Sequence, residues 1–435
     1  MTTNTSFDIT QPLPQGTVLL AASAGTGKTW TISAVCAKAI ATGLVHMENL
    51  LLVTFNRSAA RELRGRVYER LVNTRLLLAG AREPSDPCDW SLIRCGQAGL
   101  TRVESALDNF DRAVITTTHE FASRMLVELG VLSDHDPSSV LMTDLAPLAT
   151  EVSDDHYLAQ YLDCDRPPSV RDKRELSRDV AVKYGEVPIF SKDDKDDADT
   201  PVQDVLWALS VREDVRRRSK SRSVHTFDDL IGDLVKALRD PYRGPLACAT
   251  LAHRFGLVMV DEFQDTDPLQ WEILRRAFHG HSNLWLIGDP KQSIYAFRGA
   301  DIHAYQDAAQ SASHVLHLDV NYRTDKPIVE AVNTLFSNAQ LGHDISMELV
   351  TAHHQESRIK TAATDGPRYH WSQPFQIRCL QAPAGAQLNT ATSDQFVTED
   401  LVNQVIMMLE GGTVVQDGDG LRPLRPTDIA ILVRT

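Results

Sequence analysis

The stretch that most constrains this chain is Ala22-Ser23-Ala24-Gly25-Thr26-Gly27-Lys28-Thr29. It follows a short apolar run, Val18-Leu19-Leu20, and precedes a helical repeat in which Ile32, Val35, Cys36, Ala39 and Ile40 share one face. Gly43 stands where such a helix should end. Strand, glycine-containing loop and helix together are the setting of a phosphate-binding loop. Backbone N–H groups of such a loop and the positive end of the helix face the phosphates of a nucleotide. Lys28 adds a full positive charge, and the Thr29 hydroxyl can ligate Mg²⁺. The usual first glycine is replaced by Ala22, a slight degeneracy.

The 435 residues suffice for about two or three domains. With 43% hydrophobic and 23% charged residues the chain reads as an ordinary soluble protein able to bury a core. No apolar run reaches the length of a membrane span, and the N-terminus lacks the basic and apolar parts of a signal peptide. The six cysteines are scattered without a C-x-x-C pair, which argues against a disulfide framework or a zinc site and points to a reducing cytoplasm. A net charge of −14 speaks against a globally basic nucleic-acid binder but not against a local basic groove.

Further along, Asn49–Phe55 reads as a buried strand running into a helix rich in arginine, and Ala113–Thr117 as another strand. Residues 80–100, with Gly, Pro, Ser and Asp, read as a loop. Strands separated by helices imply a parallel sheet with crossover connections. Residues 131–223 read as a mostly helical insertion. Within it Lys192–Asp199 reads as a solvated acidic loop lacking the glycine and glutamate of a calcium loop, and Arg216–Arg222 as a cationic run that is either a solvated helix end or a contact to DNA phosphates. A helix face follows at Leu230, Ile231, Leu234 and Leu238. Gly256–Val260, Leu284–Ile287 and Val315–Leu318 are strands, each with polar residues just past its carboxyl end, where open α/β sheets keep their ligands. Residues 337–425 read only coarsely, and Asp428–Thr435 reads as a buried strand with nothing after it, as if the chain were the N-terminal part of something longer.

Asp261 and Glu262 have the form of a Walker B pair: Asp261 to hold Mg²⁺ alongside Thr29, Glu262 to polarise the attacking water. Gln264 and Gln292 follow strand-end acids and can contact a γ-phosphate without cancelling the metal's charge. Arg323 is a candidate arginine finger, a group worth on the order of 10³–10⁵ in rate. Tyr295, Phe297 and Arg298 place two rings and a cation together, as single-stranded DNA binding uses, where each stacked base contributes about 1–3 kcal/mol. Thr54, Phe55 and Asn56 after the second strand, and His119 after the third, lie at the same expected edge.

With these residues in view the chain resembles the superfamily 1 DNA helicases, and within them the RecB motor-subunit type. The resemblance rests on Ala22–Thr29, on Val53–Asn56 with Ala59-Ala60 and Glu62-Leu63-Arg64, on Ile115–His119, on Asp261–Pro268, on Gly288–Ala300 and on Asn321-Tyr322-Arg323. It covers most of residues 7–335, with Ile429–Arg434 similar to a later strand. It implies two RecA-like α/β domains: a P-loop NTPase parallel-sheet domain from 1–130 and 224–305, interrupted by the helical insertion 131–223, and part of a second domain from 306–435. It implies ATP and Mg²⁺ as cofactors, Ala22 to Thr29 around the phosphates, Tyr322 stacked on adenine, Arg323 at the γ-phosphate, and Gln292 coupling nucleotide state to Tyr295, Phe297 and Arg298. It also implies 3′–5′ translocation on single-stranded DNA from duplex ends, DNA repair as the setting, and RecC- and RecD-like partner subunits. The adenine-reading glutamine upstream of the loop is either Gln11 or Gln15. Later helicase motifs and a nuclease domain are missing from the sequence, and the insertion is short, so AddA or UvrD types stay open. So does a nucleotide- and DNA-binding piece without turnover; residues 1–435 alone are expected to show weak ATPase and no unwinding.

Overall fold

The computed structural model describes residues 5–136, 139–181, 200–294, 301–337, 339–341, 345, 347–360, 374–382, 389–418 and 420–433. Two compact units emerge, one of Met1–Ala21 with Thr29–His317, the other of Ala22–Lys28 with Leu318–Thr435.

The first unit is built on a seven-stranded sheet. Its strands are β1 (Thr5–Ser6), β2 (Thr17–Ala22), β3 (Leu50–Thr54), β4 (Val114–Thr117), then, after a separate two-stranded ladder of β5 (Val140–Leu141) and β6 (Val224–His225), β7 (Leu257–Val260), β8 (Asn283–Gly288) and β9 (His314–Leu318). The order is β1-β9-β2-β8-β7-β3-β4. The β2–β8, β8–β7, β7–β3 and β3–β4 ladders are all parallel. Parallel strands need crossovers, and the helices supplying them cover both faces. That is why Leu50 to Thr54 and Leu257 to Val260 are buried at every residue instead of alternating. The core gathers Leu51, Val53, Val258, Leu284 and Leu286 of the strands with Phe121, Phe255 and Phe278 of the segments that cover the sheet.

The helix after β2, α1 (Lys28–Thr42), ends before Gly43, whose φ of +81° suits a residue without a side chain. Its sequence shows one apolar face, yet every residue from Thr31 to Ala41 is buried. One side meets the sheet, where Cys36 Sγ lies 3.7 Å from Met259 Sδ. On another side Cys88 Sγ reaches the Ala34 carbonyl at 3.8 Å. Cys88 belongs to the stretch expected to be a loop, and here the expectation is corrected. After α2 (Arg57–Leu78), residues Pro87–Leu92 form α3, a short 3₁₀ turn follows, and Gly96–Asp108 form α4. The polar composition that suggested a loop is used in capping and pairing. Asp86 caps α3 by accepting from Asp89 N at 2.9 Å, Pro87 opens the helix, and Arg70 of α2 binds Asp86 at 2.5 Å and the fully buried Asp89 at 3.0 Å.

After α5 (Thr118–Leu129) the described part of 131–223 holds, besides β5, the helices α6 (Ala146–Tyr161), α7 (Val170–Ala181) and α8 (Thr200–Ser221). It has its own small core around Leu148, Val152, Trp207 and Val211. The cationic run ends α8, where Arg218 and Arg222 bind Glu151 at 3.0 and 2.6 Å and Arg218 also binds Asp155 at 2.6 Å. Lys192–Asp199 lies outside the described residues. Helices α9 (Phe227–Arg239), α10 (Gly244–Arg254), α11 (Pro268–Phe278) and α12 (Ile302–Ser311) complete the first unit, and the expected face of Leu230, Ile231, Leu234 and Leu238 is buried.

The second unit holds a parallel pair, β10 (Val320–Asn321) with β11 (Thr351–Ala352), helices α13 (Lys326–Leu335) and α14 (Thr390–Glu410), and a three-stranded antiparallel sheet of β12 (Ile359–Lys360), β13 (Val414–Asp417) and β14 (Gly420–Pro423). The strand expected at the end of the chain is not formed in the described residues: Ile429–Val433 is irregular, and Ile431, Leu432 and Val433 are 54, 96 and 75% exposed. Its apolar residues have no described neighbouring strand to supply a ladder, and propensity without a partner does not make a strand.

Candidate functional site

The loop from Ala22 to Lys28 is shaped by its glycines. Gly25 and Gly27 have φ of +82° and +84°. Thr26 is buried and folds the loop on itself, its N and Oγ1 donating to the Ser23 carbonyl at 3.2 and 2.7 Å. A Cβ at Gly25 would come within 2.8 Å of both Arg323 Cβ and Asn321 Oδ1. The turn after β10 therefore touches the loop. Tyr322 N donates to the Gly25 carbonyl at 2.8 Å and Asn321 Nδ2 to the Ala24 carbonyl at 3.0 Å, while Asn321 Oδ1 accepts from Arg323 N and Thr324 N at 2.9 and 2.8 Å. Tyr322 is half exposed, and its ring lies against His353, with centroids 4.8 Å apart. Among the described residues the Arg323 guanidinium takes no partner, and its backbone is held because Arg358 donates to its carbonyl and pairs with Asp325 at 2.6 Å. Asn321 stood in the sequence only as the first letter of a motif. Its role as an Asx-type turn residue could have been read from the Asn-x-x-Thr run.

In the first unit the polar residues after β7 and β8 meet at one edge because those strands are parallel neighbours. Asp261 N extends the β3 ladder by donating to the Val53 carbonyl at 2.8 Å. Glu262 then turns the chain with φ of 55° and ψ of 41°, a left-handed conformation that costs a non-glycine residue about 1–2 kcal/mol. The following 3₁₀ turn is pinned by Phe263, which is 1% exposed and packs edge-on against Trp271. Gln264 is 2% exposed beneath Glu262. Its Nε2 donates to Glu262 Oε2 at 2.7 Å, and its Oε1 accepts from Asp289 N at 2.9 Å. Asp289, also buried, accepts from Gln292 Nε2 at 2.7 Å and pairs with Lys291 at 2.8 Å. A hydrogen-bonded row thus runs from Glu262 through Gln264 and Asp289 to Gln292. The expectation that Gln264 contacts a phosphate is corrected: it is buried, and both ends of its amide are taken by protein groups. Gln292 is exposed. Asp289 and Lys291 were not singled out from sequence, since nothing in spacing alone shows that a carboxylate will turn inward.

Thr29 lies in the first turn of α1 and Asp261 at the end of β7. A hydroxyl and a carboxylate are hard oxygen donors, the kind that fit Mg²⁺. Upstream, Gln11 and Gln15 are both exposed. The turn bearing Gln11 is fixed by buried Lys38, which donates to the Ile9 and Gln11 carbonyls at 2.6 and 2.7 Å.

The residues expected to meet DNA divide. Thr54 is 1% exposed and its hydroxyl is buried without a hydrogen-bond partner, so the expectation of a DNA contact is corrected; a strand covered on both faces has no outward side chain to offer. Asn56 caps α2, its Oδ1 accepting from Ala59 N at 2.8 Å, and Phe55 is half-buried. His119 stands edge-on to Phe227, centroids 5.8 Å apart, and lines a groove with Arg57, Ser123, Arg124 and Leu230. Tyr295, Phe297 and Arg298 lie outside the described residues.

Residues 3–313 match the family profile of the UvrD/REP helicase N-terminal domain. Over 442 aligned residues the chain is 36% identical to the RecB subunit of the RecBCD enzyme of Mycobacterium tuberculosis, covering 98% of this chain and 39% of that protein. It is 34% identical over 232 residues to RecB of Escherichia coli, covering 52% of this chain and 19% of that protein. It is 27% identical over 329 residues to the ATP-dependent DNA helicase UvrD1 of Mycobacterium bovis, covering 74% of this chain and 37% of that protein. The chain therefore spans about two fifths of the length of the mycobacterial RecB it matches. Given a glycine-bearing loop, a parallel sheet with its acidic residues at one edge, and a profile match over most of the first unit, this chain belongs to the UvrD/REP helicase family, superfamily 1 helicases, and is similar to RecB subunits over nearly its whole length.

Proposed function

We propose that this chain is the N-terminal motor portion of an ATP-dependent 3′–5′ DNA translocase of RecB type, acting at duplex ends in double-strand break repair alongside RecC- and RecD-like subunits. The observation that carries the reading is the hydrogen-bonded row from Glu262 to Gln292 at the carboxyl edge of the sheet. Residues 1–130 and 224–305 would form the first RecA-like domain, 131–223 its insertion and 306–435 part of a second. The loop Ala22 to Lys28 binds the phosphates of ATP, with Lys28 supplying charge, and Tyr322 takes the adenine. Thr29 and Asp261 would hold Mg²⁺, which when bound neutralises phosphate charge. Glu262 accepts a proton from the attacking water, an effect worth about 10²–10⁴ in rate. Gln264 holds the Glu262 carboxylate in place, and Arg323 meets the γ-phosphate. Gln292 transmits nucleotide state toward Tyr295, Phe297 and Arg298, with Phe55, Asn56 and His119 along the path of single-stranded DNA.

The test uses the full-length protein. Lys28→Ala should abolish binding of a fluorescent ATP analogue, and Glu262→Gln should bind it normally while hydrolysis stimulated by single-stranded DNA falls by at least about a hundred-fold. Unchanged turnover in Glu262→Gln would remove the base from this assignment.

A further inference from the structure

Away from the strand edge, two histidines distant in sequence come together where the chain leaves the sheet unit for the helical segment and where it returns. His135 lies on the outgoing segment and His225 on the returning strand β6, which pairs in parallel with β5. Val140 N donates to the Ser223 carbonyl at 2.7 Å and Met142 N to the His225 carbonyl at 2.8 Å, so the two crossings are tied together. The rings of His135 and His225 have centroids 5.4 Å apart. Asp233, on the second turn of α9, completes the group: its Oδ2 is 3.5 Å from His225 Nδ1. One nitrogen from each ring and one Asp233 oxygen all lie within 4.8 Å of one another. His135 Nδ1 is buried and has no hydrogen-bond partner, which costs about 1–3 kcal/mol if nothing ever satisfies it.

We propose that His135, His225 and Asp233 form a binding site for a divalent transition metal of the Zn²⁺ class, joining both crossings of the chain to α9. Two imidazoles and one carboxylate suit Zn²⁺ better than Mg²⁺ or Ca²⁺, which favour all-oxygen sets. Bonds of about 2.0–2.1 Å in a tetrahedral set place donor atoms roughly 3.3–3.5 Å apart, the spacing that His225 and Asp233 already have. The remaining separations, at most 4.8 Å, close by up to about 1.5 Å, within reach of side-chain rotation, and the fourth position is left for water. Asp136 and Asp229 line the same hollow and add negative charge that suits a divalent cation. The opposing group is Lys236, whose ammonium is 3.3 Å from Asp233 Oδ1 and whose side chain is largely exposed, so it can swing out when a metal enters. Arg216 and Lys220 line the same hollow from α8. Cysteine spacing in the sequence spoke against zinc; these ligands come from three separated segments and contain no cysteine.

The chain freed of metal by chelation is titrated with Co²⁺, followed by visible absorption, and with Zn²⁺, followed by calorimetry and thermal unfolding. The expected result is one equivalent with the intense bands of tetrahedral Co²⁺, and a rise in Tm with Zn²⁺. His135→Gln should weaken binding by at least about ten-fold and lose the Tm rise. Lys236→Ala should tighten binding, because it removes the competing cation, and Asp261→Asn should leave it unchanged. His135 is only partly buried, so His135→Gln remains informative even where His225→Gln does not fold. Absence of tetrahedral bands in the unaltered chain, or equal stoichiometry and affinity in folded His135→Gln, overturns the site.

Discussion

The substitution Gln264→Glu isolates the row beneath the sheet edge. It keeps the oxygen that accepts from Asp289 N at 2.9 Å and replaces the nitrogen that donates to Glu262 Oε2 at 2.7 Å by a carboxylate oxygen. Two ionised carboxylates at that separation do not coexist in a site only 2% exposed, so the pair takes up one proton. Holding a proton at about pH 7 on a group with a free pKa near 4.3 costs about 1.36 kcal/mol per pH unit, or roughly 3.7 kcal/mol. That sets the destabilisation at neutral pH, a substantial part of a typical total of about 5–15 kcal/mol. The sign follows from the raised proton affinity of the folded pair: stability is lost as pH rises and recovers by about 1.4 kcal/mol for each unit of acidification. The shared proton also neutralises Glu262 for part of the time, so DNA-stimulated ATP hydrolysis by the full-length protein should fall near neutral pH, approaching about 10²–10⁴ where the proton stays on Glu262, while nucleotide affinity, which the proposed phosphate loop would set, is retained. The assays are thermal melts and steady-state hydrolysis across a pH series. Gln264→Met, which removes both hydrogen bonds without adding charge, serves as the pH-independent control. Melts of Gln264→Glu that run parallel to the unaltered protein at every pH, with kcat unchanged, would refute the row as a positioning device.

Gly25→Ala asks a left-handed position to accept a Cβ that would lie 2.8 Å from Asn321 Oδ1; a strain of about 1–2 kcal/mol should appear, with weakened nucleotide binding in a fluorescence titration. Arg70→Leu takes the guanidinium from half-buried Asp86 and from buried Asp89, which keeps Arg82 at 2.9 Å, and should cost about 3 kcal/mol in urea unfolding; a loss below about 1 kcal/mol would show that α3 is held by packing alone. Hydrogen bonds from Arg239 and Arg276 hold the Glu272 carboxyl down at about 2, from an ordinary 4.5, against the opposing effect of burial. A depressed acid stabilises the fold above its unfolded pKa and loses that contribution as pH falls from about 4.5 through about 2, so Glu272→Gln should flatten the acid limb of the stability curve in that window.

The strands were legible because parallel strands in a covered sheet must be apolar throughout, and runs such as Leu50–Val53 and Leu257–Val260 admit little else. Residues 80–100 were not, because Asp86, Pro87 and Asp89 are loop-forming types whose use as cap, helix opener and buried ion-pair partner depends on Arg70 of a different helix. Gln264 was read as facing a ligand because it follows an acidic pair; its burial depends on the neighbouring strand presenting the Asp289 N–H. Thr54 failed for the related reason that the end of a strand shows nothing of which face is covered.

Local chemistry by itself determined the glycine-bearing loop after the second strand, the parallel sheet and the acidic residues at strand ends, since each depends on backbone freedom, side-chain polarity or spacing within a few residues. Only the tertiary structure decided that Asn321 clamps the loop, that Gln264 lies beneath Glu262, and that His135 and His225 meet at Asp233. Those contacts join residues far apart along the chain, and their formation depends on which crossovers and ladders bring separate segments within hydrogen-bonding distance, which no local pattern encodes.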